Sequence, residues 1–271
     1  MNEPISDRAF SPPRRFGALN TLGLWTLYRK EVQRFWKVMF QTVFAPVVTT
    51  LLFFAVINLA FGDRRGDIGG IPFSDFLAPG LILMGLLQNA FANSSSSILV
   101  SKVQGNSVDF LMPPLSALEL MIAFIAGAVT RGVVVAIATA AVMAFFVDLT
   151  PDHIWAIVFY ALMGAMLLGM IGLIGGVWAE KFDHVAVITN FIITPLTFLS
   201  GTFYSISVLP EPFFTLSHFN PFFYMIDGFR YGFTGHADGS ILIGAIVLIA
   251  LNLVMLAASY AVLRSGWRLK S

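Results

Sequence analysis

The sequence predicts an all-α, polytopic membrane protein. Three observations carry that reading. Six apolar runs, each long enough to cross a bilayer, fill most of the 271 residues. Hydrophobic residues make up 57% of the chain and charged residues 11%, where a soluble domain carries about 25% charge. Lys and Arg gather at the chain ends and in connectors, leaving only Arg131 inside a run. The formal net charge of +1, with no basic patch beyond the first forty residues, gives no reason to expect a nucleic-acid partner. There is no cysteine, which excludes disulfides and thiolate metal sites. His153, His184, His218 and His236 are too far apart for a local metal motif, so no cofactor or metal is expected in this chain.

Residues 1–19 read as a disordered cytoplasmic tail, with three prolines and mixed charge. The Arg14–Arg15 pair is not followed by a clean apolar stretch, because Arg29, Lys30, Glu31 and Arg34 interrupt it, so no cleaved leader is expected. Thr21–Met39 reads as an interfacial elbow helix. Trp25, Tyr28, Val32, Phe35, Trp36 and Met39 recur at steps of three and four, with Arg29, Lys30, Gln33, Arg34 and Lys37 on the other face.

A spanning helix needs about 20 apolar residues. The expected spans are Gln41–Phe61, Phe76–Val100, Leu118–Val147, Ile154–Trp178, Val185–Tyr204 and Ile241–Leu263. Cations set their orientation. Arg8, Arg14, Arg15, Arg29, Lys30, Arg34, Lys37, Lys102, Lys181, Arg264, Arg268 and Lys270 fall on one side, and Arg64, Arg65 and Arg230 on the other. Both termini are therefore expected in the cytoplasm.

Polar residues inside the spans are the first site candidates. Asn89, Asn93 and Ser96–Ser97 share one face of the second span, as helix glue or as the lining of a path. Gly169, Gly172, Gly175 and Gly176 in the fourth span read as close helix packing. Arg131 lies mid-span, where a cation costs about 2.5–3.5 kcal/mol. No acid lies at that depth, so Asn89, Asn93, Gln88 or backbone carbonyls are its expected partners. Two roles stay open for it: a hydrogen-bonded anchor, or contact with an anionic head group.

Two connectors are unusual. Ser101–Ala117 carries Val103, Val108, Phe110, Leu111 and Met112 before Pro113 and Pro114 stop any helix. That is either a docking element or a loop tucked against its own spans. The stretch 205–239 holds seven phenylalanines and two tyrosines, broken by Pro210, Pro212 and Pro221. Asn220 can cap a helix with Pro221 at its first position. The expectation is an outer hairpin of two short helices dipping back into the bilayer, with Phe213, Phe222 and Phe229 shielded. Asp227 and Arg230, three apart on one helical face, are expected to pair.

A phosphate-binding G-x-x-x-x-G-K-[ST] loop is missing, since no lysine follows a glycine. Nucleotide hydrolysis by this chain is not expected. A membrane-embedded enzyme acting on lipids or isoprenoid phosphates would need clustered acids or histidines. Glu180, Asp183 and His184 cluster, but a short polar connector accounts for them as solvated charges.

Four stretches identify a family resemblance: RKEVQRFWKVMFQTVFAPVVTTLLFF at 29–54, FLMPPLSALEL at 110–120, TPLTFLSGTFYSISVLP at 194–210 and NPFFYMIDGFRYGF at 220–233. With the order of elements, they resemble the ABC-2 type permeases, the membrane subunits of type-2 ATP-binding-cassette exporters. Within that family the chain looks most like the YadH-type permeases. The resemblance covers residues 20–268 as one transmembrane domain. It implies a homodimer in a bacterial inner membrane, bound to two ABC ATPase subunits that carry ATP and magnesium. It makes 102–115 the coupling segment, with Val108, Asp109, Phe110, Leu111 and Met112 as docking residues. The cargo it implies is a lipid, a lipid-linked glycan or a drug-like amphiphile.

Overall fold

Caps and prolines set where the helices start and bend. The computed structural model describes residues 19–106 and 112–268, without the side chains of 63–65. The expected tail and the docking residues Val108, Asp109, Phe110 and Leu111 lie outside the described residues. Among the described residues every regular element is helical, apart from an isolated bridge between Ile68 and Ile71.

Helix α1 is Thr21–Lys37, capped by Asn20, whose Oδ1 accepts from the Gly23 amide at 2.9 Å. Its bundle-facing side is Leu27, Glu31 and Phe35, while Trp25 and Trp36 are exposed. The inward stripe is thus rotated from the aromatic stripe expected from periodicity, because Glu31 finds buried polar partners. Helix α2 is Ala45–Arg65, entered through one π turn at Phe40–Phe44. Pro46 lacks the amide a regular turn needs, and the widened turn just before it relieves the ring's clash with the backbone. The same device recurs at Thr189–Ile193, ahead of Pro195.

Helix α3, Phe73–Val103, is the axis of the bundle and is buried along almost its whole length. Helix α4, Ala117–Met143, begins with a capping box in which Ser116 and Glu119 satisfy each other's backbone. Helix α5 is Ile154–Trp178. It packs on α3 so closely that a Cβ at Gly172 would lie 2.4 Å from the Phe91 carbonyl oxygen, as the glycine run suggested.

Among the described residues five helices are long and apolar enough to cross a membrane: Phe40–Gly62, α3, α4, α5 and α9, Ile241–Ser265. The run expected at Val185–Tyr204 is shorter. It forms α6, Phe182–Phe198, 17 residues in which a π turn is enclosed. The chain leaves the helix before Gly201, whose φ of 73° is a left-handed conformation. At about 1.5 Å per residue α6 falls short of a 30 Å hydrocarbon core.

The aromatic stretch forms α7, Phe213–Phe219, and α8, Pro221–Thr234. Asn220 caps α8 through the Phe222 amide at 3.1 Å. Its Nδ2 also donates to the Leu196 carbonyl and to Ser200, which ties the pair to α6. Helix α8 packs on α3, α5 and α9.

Candidate functional site

The polar residues of α1, α3 and α4 converge. Glu31 on α1 is 2% exposed. Its Oε1 accepts from the Ser97 hydroxyl at 2.6 Å, and its Oε2 accepts from Arg34 Nη2 at 3.2 Å. Arg34 also donates to the Asn93 carbonyl at 2.8 Å, to Asn93 Oδ1 at 3.0 Å and to Ser96 Oγ at 3.1 Å. One turn along α3, Asn89 Oδ1 accepts from Arg131 Nη2 at 3.0 Å. Asn89 itself is oriented by donating to the Gly85 carbonyl. Beside them Tyr28 and Thr130 share a hydrogen bond of 3.0 Å between α1 and α4. Gly127 on α4 makes room, because a Cβ there would lie 2.7 Å from Glu31 Cβ and 3.4 Å from Asn93 Nδ2.

Asn89, Asn93 and Arg131 are therefore brought together, and Glu31 and Arg34 join them from α1. Sequence reading had placed Arg34 on the outward face and had used Glu31 only to rule out a leader. The available signal was an acid inside an otherwise basic amphipathic helix, three residues before an arginine.

The start of α1 is tied to the connector before α4. Asn20 Nδ2 donates to the Pro114 carbonyl at 3.2 Å, and the Asn20 amide donates to Glu119 Oε1. A Cβ at Gly23 would lie 2.7 Å from Leu115 Cδ2. Met112, the described member of the expected docking set, is exposed. Just before that segment, Lys102 Nζ donates to the Val177 and Ala179 carbonyls at the end of α5. A cation there complements the helix dipole.

The second group of candidates sits on α8. Phe222 and Phe229 are buried as expected, whereas Phe213 at the start of α7 is 52% exposed. With only seven residues, α7 lies at the edge of the hairpin, and the shielded aromatics belong to α8. Asp227 and Arg230 do not pair directly. Asp227 accepts from the amides of Asp238 and Gly239, at 2.8 and 2.9 Å. Burial pushes its carboxyl above the usual carboxylate range, opposed by these donors and by the Arg230 charge. Arg230, 1% exposed, donates to the Phe76 carbonyl at 3.0 Å and the Gly201 carbonyl at 2.7 Å. Its guanidinium lies 3.7 Å from the Phe76 ring centroid. Each partner turns away because nearer backbone groups satisfy it.

Glu180 and His184 hold a turn, and Asp183 lies in the first turn of α6. The Glu180 carboxylate lies 3.5 Å from Arg268, and His184 Nδ1 accepts from the Glu180 amide at 3.4 Å. A crevice of about 310 Å³ between α3, α4, α5 and α8 is lined by apolar side chains such as Leu86, Val133, Ile137 and Phe229.

The chain matches the ABC-2 type transporter family over residues 23–234. It belongs to that family. This ABC-2 type transporter is 36% identical over 251 residues to the inner membrane transport permease YadH of Escherichia coli K12, covering 92% of this chain and 98% of that one. It is 24% identical over 225 residues to nodulation protein J of Rhizobium leguminosarum biovar trifolii, covering 81% of this chain and 83% of the other. The transporter thus places a buried, charged cluster between α1, α3 and α4 and ties its first helix to the connector that leads into α4.

Proposed function

We propose that this transporter is the permease subunit of an ATP-driven exporter in a bacterial inner membrane. Two copies pair, each seated on an ABC ATPase subunit that holds ATP and magnesium. Both termini lie in the cytoplasm, and α6 with the residues after it completes a sixth span. Helix α1 is then the elbow at the inner surface, and α7–α8 re-enter from the outer side. The cargo is a lipid, a lipid-linked glycan or a drug-like amphiphile. The printed name of the Escherichia coli relative supports the membrane assignment and the transport role.

The observation that carries the mechanism is the tie from Asn20 to Pro114 and Glu119. In the sequence Pro114 follows closely on Val108–Met112, where the ATPase would dock. A push on that segment reaches the first turn of α1. From there it passes through Glu31 and Arg34 to Ser97 and Asn93 on α3. Closure of the ATPase pair would shift α1 against α3 and α4 and open a path at that depth.

The test is the pair Phe110→Ser and Leu111→Ser. Burying such side chains is worth about 1.5–3 kcal/mol each. The double variant should insert normally yet lose ATPase association or cargo-stimulated turnover. Wild-type values for both would remove this segment as the docking site.

A further inference from the structure

The cluster between α1, α3 and α4 is short of acceptors. Arg34 Nε, Arg131 Nε and Asn93 Nδ2 are buried and meet no hydrogen-bond partner among the described residues. All three carry N–H groups. Glu31, the carboxylate of the cluster, is already engaged by Ser97 and Arg34. Arg131 offers five donors and directs one hydrogen bond to Asn89. A buried donor left unmet is costly, so a fold that leaves several together is poised for an acceptor.

Geometry narrows what that acceptor is. Arg34 meets α3 at Asn93 and Arg131 meets it at Asn89, four residues apart, or about 6 Å along the axis. Asn93, 0% exposed, has its Nδ2 beside Gly127, one turn before Arg131 on α4. Two guanidinium forks and an amide facing one helical turn suit an oxyanion, which accepts several charge-assisted hydrogen bonds at once. Arg131 lies near the centre of the 27-residue α4. An ion reaching that depth needs an apolar tail to remain in the membrane.

We propose that Arg34, Arg131 and Asn93 bind the anionic head group of an amphiphile, a phosphate or a carboxylate. The assignment of that amphiphile as cargo rests on the exporter reading, but its binding does not require transport.

The experiment uses the full-length permease in a neutral maltoside detergent, with dodecyl phosphate as the probe. Dodecanol supplies the tail alone and inorganic phosphate the head alone. Binding is followed through the fluorescence of Trp25 and Trp36 on α1 and through the melting temperature. Dodecyl phosphate should bind at least about tenfold more tightly than either fragment, and Arg131→Gln should lose about tenfold or more of that affinity, the scale of one charge-assisted hydrogen bond. Arg131→Lys should keep most of it. Wild-type affinity in a folded Arg131→Gln protein would overturn the site. Should that variant not fold, the wild-type titration still decides: equal binding of dodecanol and dodecyl phosphate sinks the proposal. Inorganic phosphate binding as tightly as dodecyl phosphate would overturn the amphiphile in favour of a free anion. Failure of the exporter reading would appear separately, as turnover by no ATPase partner while dodecyl phosphate still binds.

Discussion

Arg230 and Arg131 are both cations enclosed by the same helical bundle, and they are held in opposite ways. Arg230 is closed in by backbone: two carbonyl oxygens accept its hydrogen bonds and the Phe76 ring covers its face. A Cβ at Gly80 would lie 3.0 Å from its Nη2, so the surrounding backbone is fitted to it. Among the described residues Arg131 has one hydrogen bond, to the side chain of Asn89, and a buried Nε without a partner. Burial of a charge is costly unless its hydrogen bonds are complete. A completed shell marks a part of the frame, whereas an incomplete one marks a place where something else is to bind.

The largest effect should come from the completed shell. Arg230→Leu leaves the Phe76 and Gly201 carbonyls without a donor and removes the cation from the ring. The loss should exceed about 3 kcal/mol, since hydrogen bonds to charged groups are worth about 1.5–3 kcal/mol each. Arg230→Lys should recover little of it, because an ammonium cannot reproduce the planar fork. Arg131→Leu should cost less than about 1 kcal/mol, as the lost hydrogen bond is offset by the relieved cost of a mid-span charge. Thermal unfolding in detergent, run side by side, reads the difference. Equal drops for the two leucine variants would break the distinction.

The next effect tests whether the frame around α8 is as rigid as Arg230 implies. A Cβ at Gly228 would fall 2.3 Å from the Tyr160 ring. Tyr160 cannot easily swing aside, because its hydroxyl donates to the Ile241 carbonyl at 2.6 Å. Gly228→Ala should therefore cost about 1–3 kcal/mol, the usual range for overpacking a filled core. Near wild-type melting would mean that α8 slides freely on α5, and the frame would then be no stiffer than the cluster on α1.

The two regions also differ in how far the sequence revealed them. Apolar length alone announced five spanning helices, and the Asn220–Pro221 pair announced the start of α8. The glycines of α5 announced its close approach to α3. Arg131 was visible as a mid-span cation, and Asn89 as one of few acceptors at its depth. Glu31 and Arg34 were not, because on an amphipathic surface helix a charge reads as solvated by default. Only tertiary packing turned that face toward Asn93 and Ser97. The partners of Asp227 and Arg230 were misjudged for a related reason. Spacing on one helix predicts which side chains are neighbours, but loop amides at 238–239 and carbonyls of Phe76 and Gly201 come from elsewhere in the chain. That α6 stops at 17 residues was not legible, because hydropathy ignores the proline and glycine that shape its end.

The smallest effect sharpens the comparison at the other end of α1, where the cluster's helix is fastened. Asn20 caps that helix through Gly23 and reaches Pro114 with its amide. Asn20→Ala removes both bonds but leaves the Asn20 amide's bond to Glu119 in place. Loss of a cap costs about 1 kcal/mol, so melting should fall by only a few degrees. The informative readout is local hydrogen exchange. Amides of the first turn, around Gly23, should exchange faster, while those near Glu31 and Phe35 stay protected by Ser97 and the bundle. That pattern would show α1 pinned independently at two points: loosely at the connector, and firmly at the cluster. Equal loss of protection along the whole helix would show instead that α1 is held only from its first turn, and the charged cluster would then contribute nothing to seating it.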